Sequence, residues 1–283
     1  MATIAYRLAV AGEAICPNKT RLTGLVLHDA AQYAPVLRDA ARRALGVGDR
    51  VGVLAVAPNS PAARAGVLAG DVVVAIDGVP LVPTAPGATA SFAGVAAAYA
   101  ALDGASNARV FDLEIERVGT RLGLAVAPVA GCASQVQLRT SPEIEAKADG
   151  RVLSVSTALL DFVVEDDELA LAIAHEMAHN ALGHRRMLQA RGIRPDAGGS
   201  SRDDRAEILQ IERIADRFGY FLMARAGYDT TVAPAFWQRL HDGPAHTRRD
   251  PQTHPTAPDR VAAARAAAAE IADKRARGLP LTP

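Results

Sequence analysis

Between residues 48 and 128 the chain is broken every few residues by Gly, Pro, Asn or Asp, and the apolar runs between the breaks are short and rich in β-branched residues. Val51–Val56 and Val72–Ile76 read as strands. Asp77-Gly78 reads as the tight turn into a strand at Val79–Val82. A short helix fits 91–102, and strands fit 109–117 and 121–127, joined through Val118-Gly119-Thr120. This stretch is expected to form a compact β-rich module.

The flanks have another rhythm. Residues 3–14 fit a helix with Ile4, Leu8 and Ala11 on one face, 22–28 a short strand, and 35–44 a helix ending near Gly46. From 131 onward the pattern is mostly helical. Residues 151–156 alternate as a strand does, and Asp166 or Asp167 can cap a helix running from Glu168 to about Ala190. The breakers in 191–201 read as a mobile loop. Ser201 can cap a second helix that runs to Ala226 and stops at Gly227. An Ala/Arg helix with Pro at both borders spans 257–277. The expected fold class is therefore α+β.

Hydrophobic residues make up 49% of the chain and charged residues 22%, enough for a sizeable core. The 31 basic and 31 acidic residues cancel, which leaves no bulk electrostatic case for nucleic acid or an anionic membrane. Arg185-Arg186 and Arg248-Arg249 read as solvated faces. No apolar run approaches the ~20 residues of a membrane span. The opening MATIAYRLAV lacks the basic and long apolar regions of a signal peptide. The expectation is either a cytosolic protein or one exported with its signal removed. Cys16 and Cys132 lie outside any C-x-x-C motif. Two buried thiols and one disulfide both remain open, and the disulfide would imply an oxidising compartment.

The chemistry concentrates in His175-Glu176-Met177-Ala178-His179. At about 100° per residue, two histidines four apart sit about 40° apart on one helical face, so both imidazoles reach one ion. Glu176 lies beside that ion without having to ligate it, the H-E-x-x-H arrangement of zinc hydrolysis. A catalytic zinc takes a third protein ligand. The metzincin pattern would put Gly and His where Leu182 and Arg185 stand, and is excluded. His184 lies about 180° round the helix from His175, and is expected at the surface or behind the ligands. The gluzincin pattern needs Glu on a second helix, with Asp four residues later. Glu212 and Asp216 supply them, Glu212 to ligate and Asp216 to hold a ligand histidine by a hydrogen bond. The bland reading of that pair is an exposed acidic face matched to Arg213 and Arg217.

HEMAH, then IERIADRFGYFLMARAGYD, then THPTAPDR resemble metallopeptidase family 48 over about 165–260. The resemblance implies a mainly helical gluzincin peptidase domain, one Zn²⁺ per chain and endoproteolysis. In the family's His-Pro segment a histidine faces the transition state, and here that position is His254, followed by Pro255 and Arg260. The membrane-embedded branch has transmembrane helices that this chain lacks, so the resemblance is to the soluble, exported bacterial branch.

The middle module resembles a PDZ domain of the bacterial-protease kind. Val51-Gly52-Val53, Asn59-Ser60-Pro61-Ala62, Ala65-Gly66, Gly70-Asp71 and Asp77-Gly78 carry the likeness. Such domains take an extended peptide as an added strand and hold its terminal carboxylate on backbone amides. Leu45, Gly46, Val47 and Gly48 are the candidate carboxylate loop.

The expected layout is thus 1–45 and 129–283 as two pieces of a peptidase domain, with the PDZ-like module at 46–128 between them. Cys16 and Cys132 then flank the insert within one domain, and a bridge between them is expected, with it a periplasmic or otherwise exported location rather than a cytoplasmic one. Partners would be protein or peptide substrates, unfolded chains or C-terminal segments among them. The function read from the sequence is zinc-dependent cleavage of proteins, in bacterial envelope quality control. Two rivals stand beside it: a peptide-binding adaptor or chaperone with a latent peptidase half, and a cytosolic zinc hydrolase of small molecules.

Overall fold

The computed structural model describes residues 1–194, 201–243 and 250–283. Most of the loop expected at 191–201, and the pair Arg248-Arg249, lie outside the described residues. In chain order the elements are α1 (Ala2–Ala11), β1 (Lys19–Leu22), β2 (Leu25–His28), α2 (Arg38–Leu45), β3 (Gly52–Val56), α3 (Pro61–Ala65), β4 (Val72–Ile76), β5 (Val79–Pro80), α4 (Ala93–Ala105), β6 (Phe111–Arg117) and β7 (Thr120–Val126). Then follow β8 (Val129–Cys132), β9 (Gln135–Arg139), β10 (Ala146–Ala148), β11 (Val152–Ser156), α5 (Thr157–Phe162), α6 (Asp166–Leu182), α7 (His184–Ala190), α8 (Arg202–Ala226), α9 (Ala233–Asp242) and α10 (Ala257–Ala276). This is an α+β chain, as the patterning implies.

The chain divides into two compact units, Thr20–Ala130 and Thr3–Lys19 with Gly131–Pro283. The middle unit therefore begins well before residue 46. Its sheet has the order β2-β3-β4-β6-β7, with β5 added against β4. Strand β2 enters it because Leu25–His28 pairs antiparallel with Gly52–Val56, a partnership that local pattern does not reveal. The helix of this unit, α4, buries Val95, Ala98, Tyr99 and Leu102 among Leu25, Leu27, Leu113 and Ile115. Strand 22–28 is in fact two strands, parted at Thr23-Gly24, where Gly24 adopts φ 82°.

His28 is buried within this unit, with Nδ1 3.1 Å from the Tyr33 hydroxyl. Burial pushes its pKa down to about 4. The unfolded chain binds the proton at about 6.5, so the folded state gains from a neutral His28 at neutral pH. That contribution is complete above about pH 6.5, shrinks as pH falls and is gone below about 4. Urea unfolding followed from pH 7 to pH 4 is expected to lose up to about 3 kcal/mol from this residue. His28→Gln should flatten the dependence over that window.

In the other unit the expected helix to Ala190 is two helices. Gly183 takes the left-handed conformation at φ 70° and ends α6 at Leu182, and α7 starts at His184 on a new axis. The N-cap of α6 is Glu165, without a side-chain cap. Asp166 and Asp167 instead join Glu168 in the first turn, where negative charge favours the helix dipole. Helix α8 has the ends its sequence specifies. Ser201 and Asp204 form a reciprocal capping box, and Gly227 closes the helix in the left-handed region.

Helices α6 and α8 pack closely because small residues line their contact. Ala170, Ala174, Ala178 and Ala181 of α6 and Ala215 of α8 are fully buried. At Gly219 a Cβ would lie 3.2 Å from the His175 backbone nitrogen and 3.3 Å from the Ala174 carbonyl carbon. The smaller sheet has the order β10-β11-β9, with β10 at its edge.

Cys16 and Cys132 form a disulfide, with Cα atoms 5.4 Å apart across a sequence separation of 116 residues. Gly12 leaves room for it, since a Cβ there would meet Cys132 Sγ at 2.4 Å. The cross-link joins the short N-terminal piece of this unit to the long C-terminal one and shortens the unfolded chain. Replacing both cysteines by serine should lower stability by roughly 2–5 kcal/mol. Paired urea titrations of the two proteins would show it as a shifted midpoint.

Candidate metal centre

His175 and His179 project from the second half of α6, one turn apart. Glu212 and Asp216 project from α8, also one turn apart, on the face that reaches α6 through the Gly219 contact. The result is one cluster. His175 Nε2 lies 3.2 Å from His179 Nε2 and 3.3 Å from Glu212 Oε2. His179 Nε2 lies 3.4 Å from Glu212 Oε1. One donor atom from each of the three residues falls within 4.8 Å of the other two.

These separations test whether the residues suit a metal ion. Ligands held at ~2.0–2.1 Å around a tetrahedral zinc are about 3.3 Å from one another. The three side chains already have that spacing, and two imidazoles with one carboxylate are donors that zinc accepts.

The surroundings aim the donors inward. Asp216 Oδ1 lies 2.9 Å from His175 Nδ1. Neither atom has a hydrogen-bond partner elsewhere among the described residues. A proton on Nδ1 facing Asp216 leaves the Nε2 lone pair pointing at the cluster. Behind His179 the same task falls to His184, whose Nδ1 is 3.0 Å from His179 Nδ1. Burial pushes the His184 pKa down to about 4, so it is neutral and can accept that hydrogen bond. Arg260 closes the other side. Its Nε donates to Asp216 Oδ2 at 3.0 Å and its Nη2 to Glu212 Oε2 at 3.3 Å. The guanidinium stacks 4.1 Å from the centroid of Trp237, whose indole N–H donates to the Tyr220 hydroxyl at 3.0 Å.

The electrostatics ask for a positive charge here. Burial opposes charge on His175, but Asp216 and Glu212 outweigh it and raise its pKa to about 10. His179 is buried without a carboxylate of its own behind it, and its pKa falls to about 3. Glu212 is held ionised despite its burial, by the histidines around it. A proton on His175 meets that demand in the metal-free chain, and a divalent cation would meet it more fully.

The cluster floors a cleft of about 1050 Å³ that Glu176, His254, Arg185 and the edge strand β10 also line. Glu176 is half-buried, one residue along from His175. His254 Nε2 lies 3.9 Å from Glu212 Oε2, and its Nδ1 is 3.0 Å from Thr253 Oγ1. Sequence reasoning thus named the three possible ligands, Asp216, Glu176 and His254; the structure brings the ligands, Glu176 and His254 to one cleft and sets Asp216 behind His175. It left Arg260 without a task and missed Trp237 and Tyr220. The lone tryptophan was a signal, but its partners are distant in sequence. Arg185 was expected on a solvated face and instead turns to the cleft, and only Arg186 is exposed.

Leu45–Gly48 is placed elsewhere, in the other unit. Gly46 there is the left-handed stop of α2, its N–H given to the Arg42 carbonyl. Val47 is buried, and the Gly48 carbonyl accepts from Ala30 N–H.

A helix-borne His-His-Glu cluster beside a half-buried glutamate has the donor set that a metal-dependent hydrolase uses. Comparison with known proteins gives the narrower class. Residues 113–195 match the model of peptidase family M48, and residues 52–117 match that of the PDZ domain. The M48 match includes His175 to His179 and ends before Glu212 and His254. A curated relative, "Putative beta-barrel assembly-enhancing protease" of Vibrio cholerae serotype O1, is 27% identical across 40% of this chain and 30% of its own length. The match therefore spans less than a third of that relative. Among solved structures, the HtrA3 PDZ domain with a phage-derived ligand is 26% identical, over 40% of this chain and 89% of its own, with a TM-score of 0.28. The HtrA-type protease AlgW with a decapeptide is 21% identical over 40% and 30%, with a TM-score of 0.27. The resemblance to peptidase family M48 with a PDZ domain thus stands on the family models, and they support a metallopeptidase.

Among the described arginines and lysines, Arg260 alone pairs with both Glu212 and Asp216. Arg260→Ala would leave two buried carboxylates short of a partner and is expected to destabilise metal-free protein by about 3–5 kcal/mol. Arg260→Lys should recover only part of this, since an ammonium cannot span both carboxylates as a planar fork does. Urea denaturation in the presence of chelator measures both.

Proposed function

We propose that this chain is a zinc-dependent endopeptidase, with His175, His179 and Glu212 as the metal ligands and Glu176 as general base. The observation that carries the reading is the convergence of those three side chains, from two helices, at ligand spacing on the floor of an open cleft. Bound there, zinc would acidify a water and polarise the carbonyl to be attacked.

The chain's own groups do the rest. Glu176 takes the proton of the attacking water on its carboxylate and delivers it to the amine that leaves. His254, with Nε2 toward the cluster, donates to the carbonyl oxygen as negative charge gathers on it. Asp216 and His184 hold the two imidazoles in the tautomer that turns Nε2 inward. Strand β10 offers its edge along the cleft, so an extended substrate segment can pair with it. This favours unfolded or extended protein segments over small molecules.

An exported compartment fits the Cys16–Cys132 disulfide, since such bonds persist where thiols are not kept reduced. No described helix is long and apolar enough to cross a membrane. A role in the quality control of envelope proteins, with the PDZ unit recruiting or regulating, completes the proposal. The relative's name supports it.

The test is metal analysis with cleavage of casein by wild type and Glu176→Gln. Both proteins are expected to hold about one zinc, because Glu176 is not a ligand. Turnover should fall by roughly 10²–10⁴-fold in the variant. Equal cleavage by the two proteins would remove Glu176 from the mechanism, and a chain that takes up no zinc would remove the whole reading.

A further inference from the structure

Strand β10, at the cleft, forms an antiparallel hairpin with β11. One end of the hairpin is tied within its own sheet. Glu145 N–H donates to Ser156 Oγ at 3.2 Å, and the Glu145 carbonyl accepts from Ser156 N–H at 3.1 Å. The other end is the turn Asp149-Gly150-Arg151. Gly150 takes φ 100° there, and the Asp149 carboxylate accepts from Arg151 and Val152 N–H. This turn is tied to the helix of the metal cluster, because Gly150 N–H donates to Asn180 Oδ1 at 2.8 Å.

Asn180 directly follows His179 in α6 and is only 2% exposed. Gly150 N–H can only donate, so the carboxamide oxygen faces it and the amide nitrogen is left for another partner. Asn180 Nδ2 donates to Ser134 Oγ at 2.9 Å, in the link between β8 and β9. One buried side chain thus joins the helix, the hairpin turn and the start of β9. Asn180 and Gly150 both line the cleft. Met177, Ala178 and Ala181 beside it are buried and apolar. What a carboxamide adds over such residues is a hold on the turn.

We propose that Asn180 is a positioning residue for substrate: it fixes the hairpin turn, and through it the β10 edge, relative to the histidine beside it in α6. The inference rests on the endopeptidase reading and adds to it the group that sets where an extended chain lies. Without the tie the hairpin keeps its ladder to β11, but its cleft edge shifts against α6. Substrate binding then weakens while the chemistry at Glu176 stays as it was.

The experiment assays the full chain on fluorescein-labelled casein over a concentration series, as wild type, Asn180→Ala, Asn180→Asp and Ser134→Ala. Asn180→Ala is expected to raise KM roughly three- to tenfold, the equivalent of about one net hydrogen bond, with zinc content unchanged. Its kcat should stay within about twofold of wild type, the pattern of lost binding. A merely structural role would do the reverse: it lowers the folded fraction, so kcat per chain falls at constant KM. Asn180→Asp should stay near wild type, because a carboxylate accepts from both Gly150 N–H and the Ser134 hydroxyl. Ser134→Ala should raise KM by about twofold, and it decides the matter if Asn180→Ala does not fold. Amide exchange in the metal-free chain reads the tie without turnover: Gly150 N–H should exchange faster in Asn180→Ala and not in Asn180→Asp. Unchanged KM or unchanged Gly150 exchange in Asn180→Ala, or a lower kcat at constant KM, would each overturn this proposal alone. A wild type that holds no zinc or leaves casein whole would overturn the peptidase reading and this inference with it.

Discussion

The functional half of this molecule depends on how closely α6 and α8 approach. Gly219 lets the backbones meet where any side chain would press on Ala174 and His175. Seven residues earlier in α8, two turns away, is Glu212, and between them Asp216 shares the same face. The close crossing therefore sets the reach of both carboxylates toward the imidazoles of α6. A wider crossing would separate donors that now lie 3.2–3.4 Å apart. Zinc bonds of ~2 Å leave little room for such a shift.

Charge is managed around that crossing by a few buried groups. Two carboxylates, Glu212 and Asp216, face three histidines and one arginine. Arg260 neutralises part of the negative charge from one side and is itself held flat against Trp237. His184 stays neutral because it is buried, which leaves it free to accept from His179. The remaining negative charge falls at the centre of the cluster, where a cation fits. Burial of these charges costs stability by itself and would become affinity if an ion bound.

The two units deal with strand edges in opposite ways. Strand β10 leaves its edge along the open cleft, where an extended chain can pair. Strand β2 closes its edge with hydroxyls drawn from Tyr99 and Thr23. Buried backbone donors need partners, and these two hydroxyls supply them.

The sequence by itself determined what depends on neighbours along the chain. Helical period placed His175 with His179 and Glu212 with Asp216, and Ser201 and Gly227 fixed the ends of α8, because caps and faces are local properties. Once the resemblance to a peptidase split by a PDZ-like insert set the layout, the places of Cys16 and Cys132 on either side of that insert led to the expectation of a bond between them. Tertiary structure decided the rest. The left-handed turn at Gly183 rotates His184 from the far face of a continuous helix to a place behind His179. Long-range pairing draws Leu25–His28 into the middle unit, although local pattern gave it to the first piece of the other. Arg260, Trp237 and Tyr220 meet only because α8, α9 and α10 pack together. Such contacts join residues far apart in sequence, and their energy comes from packing and burial that no local window of residues encodes.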